Sequence, residues 1–174
     1  MDAGRRALRV NTVELRRRPG VTRTVDVALS GEQLEVVDDR IGAPIAIELV
    51  ATSTVDGIVV TGDVAVRWGD ECRRCLVAVD RHQVMRIDEL YQEEVVDQEA
   101  FEIGPDALDL FPMVRDAVVL ALADPPPLCR GDCAGICPAC GADRNVAPCG
   151  CDTTVRDERW AALDDLDVPD PGDG

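Results

Sequence analysis

The chain has 174 residues, enough for one domain of ordinary size or for a small domain with a metal-bound appendix. It shows neither the apolar stretch of a signal peptide nor a run of about twenty apolar residues, so we expect a soluble, cytoplasmic protein without membrane contact. The formal charge is −16, and it reaches −21 once residues 1–23, with seven arginines and two acids, are set aside; such a surface disfavours direct binding of nucleic acid.

The first segment along the chain, residues 1–22, is basic. Its stretch LRVNTVELRRRPG ends in Pro19-Gly20, a dipeptide typical of turns. If the protein contacts RNA directly, we expect the contact to use the arginines of this segment, because the remaining chain is a strong anion.

The following half of the chain reads as a sheet. Its apolar residues are mainly aliphatic, and strict or partial alternation of apolar and polar residues begins at TRTVDVAL (22–29). The same pattern recurs between a favourable hairpin turn at Asp56-Gly57 and a second turn around Gly69-Asp70. We therefore predict an antiparallel meander with strands at about 45–55, 58–68 and 76–88.

An acidic stretch, residues 91–107, is predicted to be an irregular linker before the one long helix. The helix is indicated by Asp109 as a cap, Pro112 in the first turn and Pro125-Pro126-Pro127 as its end. Its apolar residues recur every three or four positions and should cover one face of the sheet: Leu110, Met113, Val114, Ala117, Val118, Ala121 and Leu122. Residues 23–126 are thus predicted to form one α+β domain.

The last part of the chain, residues 127–166, is rich in cysteine, glycine and proline and is expected to depend on metal for its order. It closes with a short helix in VRDERWAALDDL, and the acidic tail at 167–174 is predicted to be disordered. In a reducing compartment, clustered cysteines favour metal binding or redox chemistry over stable disulfides.

Four of these cysteines have the spacing of a zinc site. Cys137 and Cys140 flank Pro138-Ala139 and precede Gly141, so the two thiolates can bind one tetrahedral ion, and Cys149 with Cys151 can complete the ligand set.

Four further cysteines could form a second site joining the sheet to the C-terminal segment: Cys72, Cys75, Cys129 and Cys133. Spacing alone does not fix which pairs meet, and Cys129 and Cys133 could instead join Cys149 and Cys151. One or two zinc ions per chain are therefore expected.

Two other uses of the cysteines stay open. Cys72 and Cys75 could be a thioredoxin-like redox pair, although that motif normally begins a helix and ECRRC lies between predicted strands. An iron–sulfur cluster also takes four cysteines, although CPxCG turns are more typical of zinc. Catalysis finds little support, because the single histidine, His82, lies in a predicted strand and a zinc ion held by four thiolates has no open position.

The order of these motifs resembles the YceD-type family of large ribosomal RNA subunit accumulation proteins over about residues 8–166. The resemblance rests on ECRRC after a β-rich half, on the helix DLFPMVRDAVVLALADPPPLC, and on DCAGICPACGADRNVAPCGC followed by DERWAAL. It implies a small cytoplasmic α+β protein needed for accumulation of 23S ribosomal RNA, often encoded beside a large-subunit ribosomal protein.

The resemblance also implies which cysteines correspond to those of the family. The family's pair between strands corresponds to Cys72 and Cys75, and its C-terminal cluster corresponds to the six cysteines 129, 133, 137, 140, 149 and 151. The family's closing Asp-Pro-Arg motif corresponds to Asp157-Glu158-Arg159, so its proline is absent from this chain.

These observations favour a non-enzymatic ribosome biogenesis factor with structural zinc, whose partner is a large-subunit ribosomal protein or an assembly intermediate. Contact with ribosomal RNA would be direct or indirect, and the oligomeric state is left open. The alternative is a regulatory or protein-interaction module in which thiol oxidation ejects zinc and releases a partner. An enzyme, such as a nuclease acting on precursor RNA, is the third class and the least favoured.

Overall fold

The computed structural model describes residues 3–96, 100–153 and 157–163. Seven strands and two α-helices follow one another along the described chain: α1 (Ala3–Ala7), β1 (Arg9–Asn11), β2 (Thr22–Leu29), β3 (Ile45–Ser53), β4 (Ile58–Glu71), β5 (Ala78–Gln92), β6 (Phe101–Glu102), β7 (Ala107–Asp109) and α2 (Phe111–Leu122). Short 3₁₀ helices lie at Leu15–Arg17, Glu32–Leu34 and Glu158–Leu163.

The centre of the fold is an antiparallel meander in the strand order β2-β3-β4-β5, extended by β6. Residues of β3 alternate between buried and less buried positions along the strand, because successive side chains point to opposite faces of a sheet. The hairpin between β3 and β4 turns at Asp56-Gly57 as predicted, with Gly57 at φ +146°. The α+β class with an antiparallel meander is confirmed.

The second predicted turn is misplaced by a few residues. We expected it around Gly69-Asp70, but those residues pair with Asp80 and Val79 inside the β4–β5 ladder, and the chain turns only between Glu71 and Ala78. The strands therefore run longer than predicted, and the cysteine pair 72 and 75 lies in the turn itself.

The prediction of an irregular linker at 91–107 is also wrong in part. Tyr91 and Gln92 end β5, and Tyr91 pairs in parallel with Phe101 of β6, whose ring stacks on the tyrosine ring at 5.1 Å. Ala107 begins β7, which pairs antiparallel with β1 at the start of the chain. Strands this short carry no period in the sequence, and their formation depends on partners far along the chain.

Helix α2 lies on the sheet where the sequence predicts it. The cap position is Leu110 and not Asp109 as predicted, although Asp109 Oδ1 accepts a hydrogen bond of 3.0 Å from the Phe111 N–H. Pro112 occupies the first turn, and the helix ends before the prolines. All seven residues of the predicted stripe are buried or packed against the core, where α2 contacts β4 and β5.

Residues of the N-terminal segment contribute to the same core. Leu8 and Leu15 are fully buried, and Val10 of β1 lies opposite Leu108 of β7. Arg5 forms a two-pronged ion pair with Glu35 at 2.9 Å.

No helix in the described ranges has the length and apolar character needed to cross a membrane. Within the predicted C-terminal helix, the described part is the 3₁₀ helix Glu158–Leu163, and the predicted disordered tail at 167–174 lies outside the described residues.

Candidate metal centres

The eight cysteines lie in two groups of four. The first cysteine group contains Cys72, Cys75, Cys129 and Cys133, and the second cysteine group contains Cys137, Cys140, Cys149 and Cys151. In each group the four sulfur atoms lie within 4.8 Å of one another, so each group could hold one metal ion. Cys129 and Cys133 therefore lie with Cys72 and Cys75. The alternative grouping, in which Cys129 and Cys133 join Cys149 and Cys151, is not the one that the structure shows.

A tight turn presents the first two ligands of the first group. The Cys72 N–H donates to the Val77 carbonyl at 2.8 Å, and the Leu76 N–H donates to the Cys72 carbonyl at 2.9 Å. The N–H groups of Arg74 and Cys75 point at the Cys72 sulfur and donate to it. Leu76 adopts a left-handed conformation with φ +60°.

The second group is built on the same turn. The Cys137 N–H donates to the Ala142 carbonyl at 2.8 Å, and the Gly141 N–H donates to the Cys137 carbonyl at 2.8 Å. The N–H groups of Cys140 and Ala139 donate to the Cys137 sulfur, and Gly141 has φ +74°. CRRCL and CPACG are thus two copies of one ligand-presenting turn, although their sequences share only the cysteines.

Sulfur separations in the first group fit a tetrahedral ion. Cys72 Sγ lies 3.8 Å from Cys133 Sγ, and Cys75 Sγ lies 3.6 Å from Cys129 Sγ. Sulfurs bonded in a disulfide would be about 2.05 Å apart, and all eight cysteines are free thiols. Four sulfurs each about 2.3 Å from a tetrahedral zinc ion are about 3.8 Å from one another, so the observed spacing suits that ion.

Thiols within each group ionise very differently. Burial raises the pKa of Cys72, but amide hydrogen bonds, the largest from Cys129, outweigh this effect and lower that pKa to about 6. Burial and the neighbouring sulfurs raise the pKa of Cys129 to about 12. In the second group, the Cys140 N–H is the main cause that lowers the pKa of Cys137 to about 6, whereas the hydrogen bond and charge of the Cys140 side chain raise that of Cys151 to about 12. Ionisation of one thiol makes ionisation of its neighbours less favourable, because the thiolates repel one another. A bound cation would neutralise several thiolates at once.

Contacts around the first group attach the C-terminal segment to the β4–β5 turn. Arg74 donates from Nη1 to the Cys133 carbonyl at 2.9 Å, and its own carbonyl accepts from the Ile136 N–H at 2.9 Å. The Arg73 N–H donates to the Pro127 carbonyl at 3.0 Å. Both arginines between Cys72 and Cys75 therefore contact the C-terminal segment through their backbone, and Arg74 also does so through its guanidinium.

Asn145 supports the first group and was not identified from the sequence. Its Nδ2 donates to Cys133 Sγ at 3.6 Å, and its Oδ1 accepts from the Ala134 N–H at 2.8 Å. Groups that hydrogen-bond to a ligand atom orient it and tune its charge. A single asparagine between cysteines carries no sequence signal that distinguishes this role from an ordinary turn.

The cysteine-rich segment has almost no apolar core of its own. Among residues 127–151, the buried side chains are those of Cys133 and Cys137. The interior of this segment therefore consists of cysteine sulfurs, whereas the interior of the rest of the chain consists of apolar side chains.

His82 and the N-terminal arginines, which we considered for a function from the sequence, lie outside both cysteine groups. His82 is exposed on β5, outside both cysteine groups. Several N-terminal arginines already have partners: Arg16 donates to the carbonyls of Gly104 and Pro105, and Arg23 pairs with Glu14.

Comparisons with known proteins found one family model and several relatives that match this chain. A family model described as "Large ribosomal RNA subunit accumulation protein YceD" matches residues 60–167. An uncharacterized protein of Mycobacterium leprae is 35% identical over 167 residues, covering 90% of this chain and 76% of its own length. Uncharacterized proteins of Mycobacterium bovis and Mycobacterium tuberculosis are each 34% identical over 173 residues, covering 92% of this chain and 82% of their own. No solved structure matches the chain significantly.

Proposed function

The chain belongs to the YceD family of large ribosomal RNA subunit accumulation proteins, and from this premise we propose that it is a cytoplasmic, non-enzymatic ribosome biogenesis factor that supports 23S rRNA accumulation and large-subunit assembly. The observation that carries the proposal is the extent of the family match, from β4 through both cysteine groups to the closing 3₁₀ helix.

Zinc is the metal that best suits both cysteine groups. The four cysteines of each group would hold one ion, and a zinc ion with four thiolates supplies structural cross-linking rather than a reactive water. Each filled site carries a formal charge of −2, so loading both makes the protein more acidic still. Iron would be held by the same ligand type, and elemental analysis distinguishes the two metals.

A basic protein is the partner that the charge favours. The strong negative charge attracts a basic large-subunit ribosomal protein and keeps it in solution before delivery to the particle. Direct contact with RNA would fall to exposed N-terminal arginines such as Arg6, Arg17 and Arg18, for which the described residues provide no ion-pair partner.

The test of the function uses cells that lack the gene and are complemented with variant copies. The wild-type copy should restore 23S rRNA to its normal ratio with 16S rRNA, and purified protein should contain two zinc ions per chain. A Cys129→Ser copy should bind one zinc ion fewer and should fail to complement the deletion. Val37→Ser, a control substitution at an exposed residue outside both cysteine groups, should keep both zinc ions and should complement. Normal 23S rRNA in the deletion strain, or retained complementation by a chain with no metal, would refute the proposal.

An assay for nuclease activity checks the non-enzymatic part of the proposal. Precursor ribosomal RNA incubated with the zinc-loaded protein and Mg²⁺ should remain intact, because a closed sulfur site leaves no position for a nucleophile. Specific cleavage, lost on chelation, would show an enzyme.

One observation favours the second candidate, a thiol-based regulator. Cys129, Cys140 and Cys151 are exposed, so oxidants can reach ligands of both groups. Titration with peroxide in the presence of a zinc-sensitive dye tests this function: release of zinc at low oxidant together with loss of partner binding supports a regulator. Retention of zinc and partner under the same oxidant supports the structural role.

A further inference from the structure

Strand β5 leaves a long edge of the sheet uncovered. Among the described residues its neighbouring strands are β4 on one side and β6 on the other, and β6 pairs only with Tyr91 and Gln92. From Ala78 to Asp88, the described residues supply no strand on the outer side, and no turn or loop group forms a backbone hydrogen bond there. An edge of this kind presents a row of N–H and C=O groups that can pair with another extended chain.

An apolar groove runs beside this edge. The groove has a volume of about 600 Å³ and lies between β5 and α2. Met85 and Ile87 line it from the strand, and Met113, Ala117 and Leu120 line it from the helix. Leu120 is 71% exposed although it belongs to the helix that covers the core, so the groove is open where an apolar side chain would enter. Methionines at both walls can adapt to different side chains.

The charge of the groove selects its occupant. Three acids line it, Glu89, Asp116 and Asp124, and Arg86 is the one cation among the described lining residues. Arg115 and Arg81 lie 3.5 Å from the two aspartates, yet about half or more of each aspartate side chain stays exposed, at 68% and 50%. The groove therefore favours a basic segment, and a second copy of this acidic chain would bring the same repelling charge.

The edge also lacks two features that commonly prevent strand addition, a proline and a bulge. β5 contains no proline or glycine, and its pairing with β4 is continuous from Glu71–Ala78 to Ile58–Tyr91 without a bulge. Natural sheets commonly protect long edges with such features. Asp80 and Asp88 of β5 lie on the opposite, exposed face, whereas Glu89 and Arg86 of the same strand line the groove.

We propose that the β5 edge and its groove bind an extended, basic segment of another protein as an added strand. Main-chain hydrogen bonds to residues 78–88 would give the affinity, alternate apolar side chains of the segment would enter the groove, and its arginines or lysines would face the acidic rim. This inference deepens the proposed function and rests on it for the identity of the partner as a basic large-subunit ribosomal protein.

The first experiment uses the full zinc-loaded chain and an eight-residue peptide that alternates arginine and valine. Binding should shift the NMR amide signals of residues 80–88 and slow their hydrogen exchange, with little change in β2, the opposite edge of the sheet. A peptide with N-methyl groups on alternate amides keeps charge and side chains but cannot form the ladder, so it should bind at least about tenfold more weakly. A glutamate–valine peptide should not bind. Equal binding of the methylated peptide, or shifts confined to other surfaces, would overturn the proposal.

Two variants, each of which replaces an exposed aliphatic side chain with serine, test the groove. Leu120→Ser should weaken peptide binding about fivefold, because it removes an exposed apolar wall without disturbing the core. Val37→Ser, at a valine that is 94% exposed outside the groove, should leave binding unchanged. The protein could instead fail to bind the peptide and dimerise with rising concentration, with Leu120→Ser abolishing the dimer. That result would assign the groove to a second copy of the chain and overturn the proposal.

Failure of the inference and failure of the function give different results. If the peptide does not bind but the protein still retains large-subunit ribosomal proteins from cells, the proposed binding at the groove is wrong and the proposed function stands. If the peptide binds through β5 and deletion of the gene leaves 23S rRNA unchanged, the groove stands and the function is wrong.

Discussion

The two ligand-presenting turns differ at one informative residue. After the second cysteine of each turn the chain adopts a left-handed conformation, with Leu76 in the first group and Gly141 in the second. A glycine adopts this conformation freely, whereas a side chain with a Cβ atom does so at a cost of roughly 1–2 kcal/mol. The first turn therefore carries conformational strain that the second turn avoids.

Exchanging the residue type at these positions should move stability in opposite directions. Leu76→Gly should raise the free energy of unfolding by about 0.5–1 kcal/mol, because Leu76 is 56% exposed and loses little packing. Gly141→Ala should lower it by about 1 kcal/mol, since no neighbouring atom lies within 4 Å of the added Cβ and only the backbone conformation opposes it. Urea denaturation of the zinc-loaded proteins measures both changes, and an equal sign for the two would contradict this account.

Proton release on zinc binding should depend on pH in a defined direction. At pH 7 the Cys129 and Cys151 thiols, with pKa values near 12, still carry protons, whereas Cys72 and Cys137, near 6, are largely ionised. As the pH falls through 6, these two also take up protons, so each ion must then displace about one more proton and zinc affinity falls more steeply. Calorimetry of zinc binding to the metal-free protein at pH 7 and pH 5.5, in buffers of different ionisation enthalpy, counts the protons. The same count at both pH values would show that the hydrogen bonds that lower the pKa of Cys72 and Cys137 form only when the ion is bound.

At the scale of these residues, the sequence predicts the second turn better than the first. CPACG shows a glycine where the backbone needs one, whereas CRRCL places a leucine there, against the ordinary preference of that residue. Only the contacts with Pro127 and Ile136, far along the chain, explain why the first turn keeps its shape.

Among the elements, the β3–β4 hairpin depends on one glycine inside a strand. Gly62 of β4 has φ +144°, and a Cβ added there would lie 2.1 Å from the Glu48 carbonyl oxygen of β3. The backbones of the two strands therefore approach each other more closely at this point than any other residue type permits.

Replacing glycines of β4 should show this contrast directly. Gly62→Ala should lower the free energy of unfolding by about 2–4 kcal/mol through the clash and the unfavourable φ. Gly69→Ala lies in the same strand, has open space around the added Cβ and no positive φ, and should change stability by less than about 0.5 kcal/mol. Thermal and urea unfolding of both variants provide the test; similar losses would argue against close approach at Gly62.

The elements that the sequence predicts are those with a period of their own. Alternation identifies β2 to β5, and three- and four-residue spacing identifies α2 with its buried stripe. The end of β4 was misplaced because Gly69 and Asp70 resemble a turn, although their pairing with β5 holds them in the strand. β6 and β7 were missed because two or three residues contain no period, and each forms only where a distant strand offers its edge.

For the whole molecule, two different interiors stabilise the fold: an apolar core in one part and cysteine groups in the other. The sheet and α2 enclose an aliphatic core, whereas residues 127–151 bury only cysteine side chains. Spacing of the cysteines predicts two metal groups, but the choice of partners could not be made from it, since the first group joins positions 54 and 61 residues apart.

Removal of metal should therefore affect the two parts unequally. Chelation should abolish the amide protection of residues 133–147 while β3 and β4 keep theirs, because only the latter have an apolar core. Cys129→Ser, which breaks the link to the β4–β5 turn, should expose the segment as chelation does, and Cys151→Ser should loosen only the second group. Hydrogen exchange with mass spectrometry reads each region separately; a segment that keeps its protection without metal would contradict the structural role of zinc.

The pairing of β1 with β7 has a consequence for how the protein is made. Arg9 is opposite Asp109, so β1 has no partner strand until β7, 100 residues further along the chain, has been translated. The β2–β5 meander, whose contacts are between consecutive strands, can form during translation, but Leu8 and Val10 stay uncovered meanwhile. Pairing of β1 is thus delayed until β7 has been made, shortly before the chain delivers Cys129 and Cys133 for the first cysteine group.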